Sequence, residues 1–202
     1  MRLAVCLTGA SGIIYGLKLL DELWRRQLEI YAVISKNAII VSESECFSKN
    51  KLLNFIKSRT TDTYMDDDLA SPLASSSFIL DAVVVVPCSL KTLSDISSSR
   101  QSNLVSRTAC NALRLRKKVV LVIRETPLST IDIMNMLKAS VAGAIVMPAS
   151  PAFYGNITSL SDAINFIVGK ILDILGIENN LYTRWGSNCT SQQETLCDLL
   201  FD

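Results

Sequence analysis

The sequence predicts an α/β protein built on a central parallel sheet, and three observations carry that expectation. Five short apolar runs lack the alternation of a half-wet strand, so each reads as a strand covered on both faces. The stretches between them hold apolar residues at helical spacing, as crossovers between parallel strands require. Each run stops at a Gly, Ser, Pro or Arg cluster, which gathers turn residues and polar chemistry at one edge of the sheet.

Arg2 to Leu7 is the first predicted strand, and Thr8-Gly9-Ala10-Ser11-Gly12 a turn opening a helix from Ile13 to about Gln27. Ile30 to Ile34 is the second, followed by Ser35 as cap of a helix running to about Glu45. Phe47 to Leu80 is rich in Ser, Asp and Thr and reads as a helix near Leu52 to Lys57 and a mobile loop. Ala82 to Val86 is the third strand, ending at Pro87-Cys88-Ser89; Ser97-Ser98-Ser99 is a loop between two helices. Val119 to Ile123 and Gly143 to Met147 are the fourth and fifth, the latter closed by Pro148. A last long helix spans Leu160 to Leu175 and stops at Gly176, a left-handed cap in waiting. Beyond Trp185-Gly186, Ser191 and Glu194 form a capping-box pattern before Leu196, Leu199 and Leu200. The expected organisation is one domain over 1–186 and a tail over 187–202, a short helix at a subunit interface.

At 202 residues the chain suffices for one full core. Twenty Lys and Arg face 19 acidic residues, so a net charge of +1 offers nothing to nucleic acid or an anionic membrane. Small molecules are the expected partners. Hydrophobic residues make up 49% and charged ones 19%, with a mean hydropathy of +0.32; subunit interfaces would absorb that excess, so a homo-oligomer is expected. No apolar stretch reaches the roughly 18 residues that span a bilayer, and Leu3 to Leu7 is too short for a signal core. A cytoplasmic location is the expectation. The six cysteines, Cys6, Cys46, Cys88, Cys110, Cys189 and Cys197, show no CxxC spacing. With no histidine in the chain they make a poor zinc set, so reduced thiols and no metal are expected.

Without histidine, proton transfer near neutral pH falls to groups such as Glu125 or to a substrate's phosphate. Arg124-Glu125-Thr126-Pro127 sets a cation, a carboxylate and a hydroxyl where a buried strand meets solvent. Arg124 can fork onto a phosphate or a flavin carbonyl, though a strand-end ion pair would look the same. Gly9, Gly12 and Ser11 suit an anion at a helix start, or simply a tight turn. Ser89, Lys91 and Thr92 offer a second such edge, or a plain helix cap. Cys88 reads as a small buried residue, since no base lies near it in sequence. Pro148 to Tyr154 is a stiff loop ending in a phenol, with Lys170 one helix further on. Asp66-Asp67-Asp68 is a single acidic run in a loop without a partner run, and reads as solvated.

Read together, PCSLKTL, NLVSRTA, RETPL, NML, GAIVMPASPAFY, LDILGI and RWG, in this order between Pro87 and Gly186, resemble the UbiX/Pad-type flavin prenyltransferases. These sit in the wider group of homo-oligomeric flavin-containing cysteine decarboxylases. The resemblance covers about Arg2 to Gly186. It implies a flavodoxin/Rossmann-like three-layer sandwich with a central parallel sheet, assembled as a dodecamer. It implies reduced FMN and dimethylallyl monophosphate as ligands, prenylated FMN as product, and a UbiD-type decarboxylase as recipient. By that likeness FMN is held by Gly9, Ala10, Ser11, Ser35, Ser89, Leu90, Lys91, Thr92 and Arg124. The prenyl phosphate falls to Tyr154 and Lys170, with Arg124, Arg107, Arg114, Arg184 and Trp185 at that pocket, in the same or a neighbouring subunit. Glu125, Glu45 and Ser11 match the catalytic positions. The chain departs from the family pattern at Ser75-Ser76-Ser77 and Ser97 to Ser102, where glycines are usual. Arg114 stands where lysine is common, and Lys170 where arginine is. Two other activities fit the same residues: carriage of prenylated flavin without turnover, and FMN-dependent cysteine decarboxylation, which generally employs the histidine this chain lacks.

Overall fold

The computed structural model describes residues 1–155 and 157–186. The chain groups into two compact units, Met1–Ala149 and Ser150–Asp202.

In the first unit, six parallel strands form one sheet: β1 (Arg2–Leu7), β2 (Glu29–Ile34), β3 (Asp62–Met65), β4 (Ala82–Cys88), β5 (Lys118–Ile123) and β6 (Ile145–Pro148), in the order β3-β2-β1-β4-β5-β6. Six helices connect them: α1 (Ile13–Arg25), α2 (Lys36–Glu45), α3 (Lys49–Lys57), α4 (Leu90–Ser97), α5 (Leu104–Arg114) and α6 (Thr130–Val141). Chain order reverses between β1 and β4, so the loops leaving their carboxyl ends diverge and open a crevice there. That crevice is where the α/β architecture places ligands.

Both faces of the sheet are covered, as the unbroken apolar runs required. Ala4, Cys6, Val83, Val85, Val119, Leu121 and Ile123 share one core with Leu93 and Ile96 of α4 and Leu104, Val105 and Ala109 of α5. On the opposite face α1 buries Ile13, Leu17, Leu20 and Leu23, each worth about 1.5–3 kcal/mol when fully removed from water. Gly16 makes that approach possible: a Cβ there would sit 2.5 Å from the Val86 carbonyl oxygen and 3.1 Å from Leu7 Cδ2.

The strand over Asp62–Met65 was not anticipated, because Asp-Thr-Tyr-Met lacks any apolar run. An edge strand pairs on one side only, here with β2, and needs little burial of its own. Nor is the segment after it a mobile loop. A 3₁₀ turn at Pro72–Ala74 is pinned to α5 by Arg107 Nε on the Ala74 carbonyl at 2.8 Å, Asn111 Nδ2 on the same oxygen at 3.1 Å, and Thr108 Oγ1 on Leu73 at 3.3 Å. Of the acidic run, Asp67 pairs with Lys36 at 2.8 Å and Asp66 accepts from Asn103 Nδ2 at 3.0 Å. The last strand starts at Ile145 rather than Gly143, because Gly143 (φ 101°) completes the turn that ends α6.

In the second unit, a 3₁₀ turn at Phe153–Gly155 precedes α7 (Leu160–Leu175). Ser159 and Asp162 form a reciprocal capping box at its start, and Gly176 closes it in the left-handed conformation (φ 79°), as expected. The expected tail helix over 187–202, with Cys189, Cys197, Ser191 and Glu194, lies outside the described residues.

Candidate active site

The first unit's site is built from four strand tips at the carboxyl edge. Thr8, 2% exposed, is the brace. Its hydroxyl donates to the Pro87 carbonyl at 2.7 Å and accepts from the Ser89 N–H at 2.8 Å, so the loops after β1 and β4 are locked on either side of the crevice. Pro87 helps by having no N–H: the ladder between β4 and β5 slips between Val85 and Cys88, which frees the Pro87 carbonyl for Thr8. From the next tip, Arg124 Nε donates to the Ser11 carbonyl at 3.1 Å. Ser35 caps α2, its hydroxyl accepting from the Ala38 N–H, while its own N–H bonds the Leu7 carbonyl at 3.0 Å. A Cβ on Gly9 would strike Asn37, so glycine is required for the β1 loop to lie against α2. Ser11, Ser35, Ser89 and Arg124 therefore meet at one edge.

Glu45 is placed differently from a group waiting for substrate. Its carboxylate accepts from the N–H groups of Gly12 at 2.9 Å and Ile13 at 3.2 Å, and thus caps α1, whose N-cap glycine has no side chain to do so. Since Ser35 and Glu45 both reach the carboxyl edge, α2 lies across that edge instead of running back along the sheet. The positive end of α1, expected to receive a ligand anion, is taken by this carboxylate. Open donors lie beside it. Among the described residues, the N–H groups of Gly9, Ser11, Leu90 and Lys91 have no acceptor, and the last two begin α4 under the Ser89 cap. Unsatisfied amides on facing loops suit a phosphate or a flavin ring edge, so the residues present fit FMN.

Lys91 contributes through its backbone, because its ammonium is held by Asp95 at 2.9 Å and Ser102 at 3.3 Å. Burial alone would push the Asp95 carboxyl up, but the hydrogen bonds from Ser102 and Lys91 outweigh it and hold it low. Ser89 Oγ and Thr92 Oγ1 lie 3.0 Å apart. Glu125 is exposed, its carboxylate accepting from the Thr126 N–H at 3.1 Å. Cys88 is fully covered and burial pushes its thiol up; Cys6 is likewise pushed up to about 12. Neither is a nucleophile at neutral pH.

Tyr15 belongs to this site and was not singled out from sequence. Burial pushes its phenol up, Arg124 pulls it down, and Glu45 raises it again; a Cβ on Gly12 would meet its ring at 2.9 Å. Thr8 and Asn37 were missed as well. A threonine ending a strand and an asparagine beside a helix cap carry no spacing signal.

Two basic candidates lie apart. Arg114 ends α5 just before β5 begins, at the opposite edge of the sheet. There, with Arg116, Lys117 and Gly143, it lines a cavity of about 490 Å³. Arg107 is drawn to Ala74 as described.

The second unit gathers Tyr154, Lys170, Arg184 and Trp185. The Tyr154 and Trp185 rings meet edge to face at 5.0 Å. The Lys170 ammonium lies 5.1 Å from the Tyr182 ring centre and 5.7 Å from that of Phe166. Arg184 is committed to Asp173, with Nη2 on Oδ1 at 2.7 Å and Nη1 on Oδ2 at 3.0 Å.

Open amides, small residues and an arginine around the switch point of an all-parallel sheet define a nucleotide-binding α/β protein. The chain belongs to the flavoprotein family, whose model matches residues 1–172, and within it to the UbiX flavin prenyltransferases. It is 48% identical over 189 residues to the flavin prenyltransferase UbiX of Methanocaldococcus jannaschii, covering 93% of this chain and 100% of that one. The UbiX of Aquifex aeolicus is 44% identical over 187 residues, covering 91% and 98%. Among solved structures, AnUbiX (PadA1) in complex with FMN and dimethylallyl pyrophosphate superposes with a TM-score of 0.87 at 38% identity, covering 92% of this chain and 97% of that one. The dodecameric FMN-dependent UbiX-like decarboxylase of Escherichia coli O157:H7 gives 0.87 at 35%, covering 93% and 100%. The peptidyl-cysteine decarboxylase EpiD, at 17% identity and 0.57, shares the fold.

Proposed function

We propose that this chain transfers the dimethylallyl group of dimethylallyl phosphate to reduced FMN, at N5 and C6, and releases prenylated FMN and phosphate. The observation that carries the reading is the convergence of unpartnered amides, Ser89 and Arg124 at the switch point, with Glu125 beside them. When bound, reduced FMN supplies the nucleophilic nitrogen and carbon. The amides of Gly9, Ser11, Leu90 and Lys91, with Ala10, Ser35, Ser89, Thr92 and Arg124, hold and orient it. Tyr154 and Lys170, with Arg107, Arg114 and Trp185, grip the prenyl phosphate. Ionisation of the allylic carbon–oxygen bond leaves the electron pair on phosphate, where these donors stabilise the charge as it develops. Arg107, drawn to Ala74 in its own chain, and Arg114, at the far edge of its own sheet, serve this role in a neighbouring subunit.

Glu125 faces the positive charge left on the allyl group. A carboxylate about 4 Å from a cation contributes ~1 kcal/mol in water and ~4 kcal/mol at an effective dielectric near 20, which is roughly five-fold to a thousand-fold in rate. The proton displaced from N5 would return to the prenyl double bond as that bond opens to C6, and the proton displaced from C6 would pass to the released phosphate or to Glu125. Glu45 anchors the loop that Ser11 occupies. For Glu125→Gln, anaerobic assay is expected to return an FMN affinity within two-fold of the parent and a turnover lowered ten-fold or more. Unchanged turnover would remove Glu125 from the mechanism.

The assembly is read as a homododecamer, supported by α6, of which only Ala139 is buried while Ile131, Leu137 and Val141 are 65%, 63% and 81% exposed. The product is read as the cofactor of a UbiD-type decarboxylase, and the compartment as cytoplasmic, a reading supported by the free thiols of Cys6, Cys46, Cys88 and Cys110. Residues 1–186 are read as one flavin-binding domain.

A further inference from the structure

The segment after α7 folds back on the helix and is fastened at one carboxylate. Asp173 accepts from the Tyr182 hydroxyl and from both Arg184 Nη atoms, and its Oδ1 also takes the Asn179 amide at 2.9 Å. Asn179, 8% exposed, is itself laced to the Gly169 carbonyl at 3.2 Å and to the Leu181 N–H at 3.3 Å. Arg184 Nη1 also donates to the Tyr182 oxygen at 3.1 Å. The phenol is thus fixed from two sides. Gly169 leaves room for it, because a Cβ there would lie 2.5 Å from Tyr182 Cδ1.

The consequence falls on Lys170. Tyr182 packs against Phe166 with ring centres 4.9 Å apart, and the ammonium rests over both rings. Among the described residues no carboxylate pairs with it, since Asp173 is paired with Arg184. Ring faces and a neutral phenol hold the cation in place without neutralising its charge. A carboxylate partner would neutralise it. Arg184, by contrast, has its charge answered and its fork occupied, so it is an anchor and not a phosphate ligand.

We propose that Asp173 is a positioning residue for the prenyl-phosphate step: through Tyr182 and Arg184 it sets the aromatic seat that presents Lys170, uncompensated, to the phosphate of the donor. This rests on the function proposed above, and adds to it the residue that makes a lysine serve in that role. Carboxylate and phosphate never meet. Asp173 spends its charge on the arginine so that the lysine keeps its own.

The test is a double-mutant cycle of Asp173→Asn and Lys170→Ala, with Tyr182→Phe as a second probe that keeps the ring face and removes the phenol's links to Asp173 and Arg184. Binding of dimethylallyl phosphate by calorimetry and steady-state kinetics are read separately, with FMN affinity as the check on folding. Asp173→Asn is expected to weaken dimethylallyl phosphate binding and raise its KM about ten-fold in the parent. It should change either by less than two-fold in the Lys170→Ala background, with FMN affinity within two-fold throughout. Tyr182→Phe should show the same dependence on Lys170 at a smaller amplitude. Additive effects of Asp173→Asn and Lys170→Ala, or equal losses in FMN and dimethylallyl phosphate affinity, would overturn the proposal. Should Asp173→Asn fail to fold, additivity of Tyr182→Phe with Lys170→Ala overturns it. A parent protein that binds dimethylallyl phosphate with this coupling yet forms no product would refute the proposed reaction and leave the positioning role standing. No binding to the parent at all would end both.

Discussion

Thr8 carries more of the site than its single hydroxyl suggests. Removing that hydroxyl leaves the buried Pro87 carbonyl and the partly buried Ser89 N–H without their partner, at about 1–3 kcal/mol. Thr8→Val, close in shape, is therefore expected to lower unfolding stability by ~2 kcal/mol in urea titration and to weaken FMN binding, because the two loops it joins come apart. A variant as stable as the parent would show that the brace is dispensable. Arg124 and Ser89 could be picked out from their places at strand ends. Thr8, Tyr15 and Asp173 could not, because each acts through partners outside its own strand or helix, or through a ring face, and spacing reveals neither. Glu45 was picked out by family likeness alone; its hold on the start of α1 follows from a glycine N-cap that leaves two amides asking for an acceptor.

At the scale of elements, the inner strands were legible because burial on both faces leaves nothing but apolar residues in them. β3 was not, since one hydrogen-bonded side and a polar composition resemble a loop. α6 differs again: its apolar residues Ile131, Leu137 and Val141 face outward. A helix of this kind asks for a second surface. Leu137→Glu together with Val141→Glu is expected to lower the assembly's mass in light scattering while the far-ultraviolet circular dichroism stays that of the parent. An unchanged mass would place the interface elsewhere.

Over the whole molecule, the absence of histidine leaves no unperturbed side chain titrating between about pH 5 and 8. The partly buried carboxylates of Asp21, Glu22, Asp95 and Asp173 are raised by desolvation. Each is lowered more by its donors: Arg59 and Arg25, Lys18 and Arg26, Ser102 and Lys91, and Arg184 with Tyr182. A lowered folded value means stability that is complete above the ordinary carboxylate range near 4 and lost as pH falls through the folded values. The urea midpoint should therefore stay level from about pH 8 to 5 and drop below about pH 4. A midpoint that rises on acidification would contradict these pairings.

All of this converges on a reaction whose product differs from its substrate by one five-carbon unit. The direct measurement is the mass of the flavin recovered after anaerobic incubation of the protein with reduced FMN and dimethylallyl phosphate. The account predicts a flavin heavier by one dimethylallyl group, formed with release of one phosphate per flavin. FMN recovered at its own mass from protein that binds it tightly would contradict the account and leave a carrier.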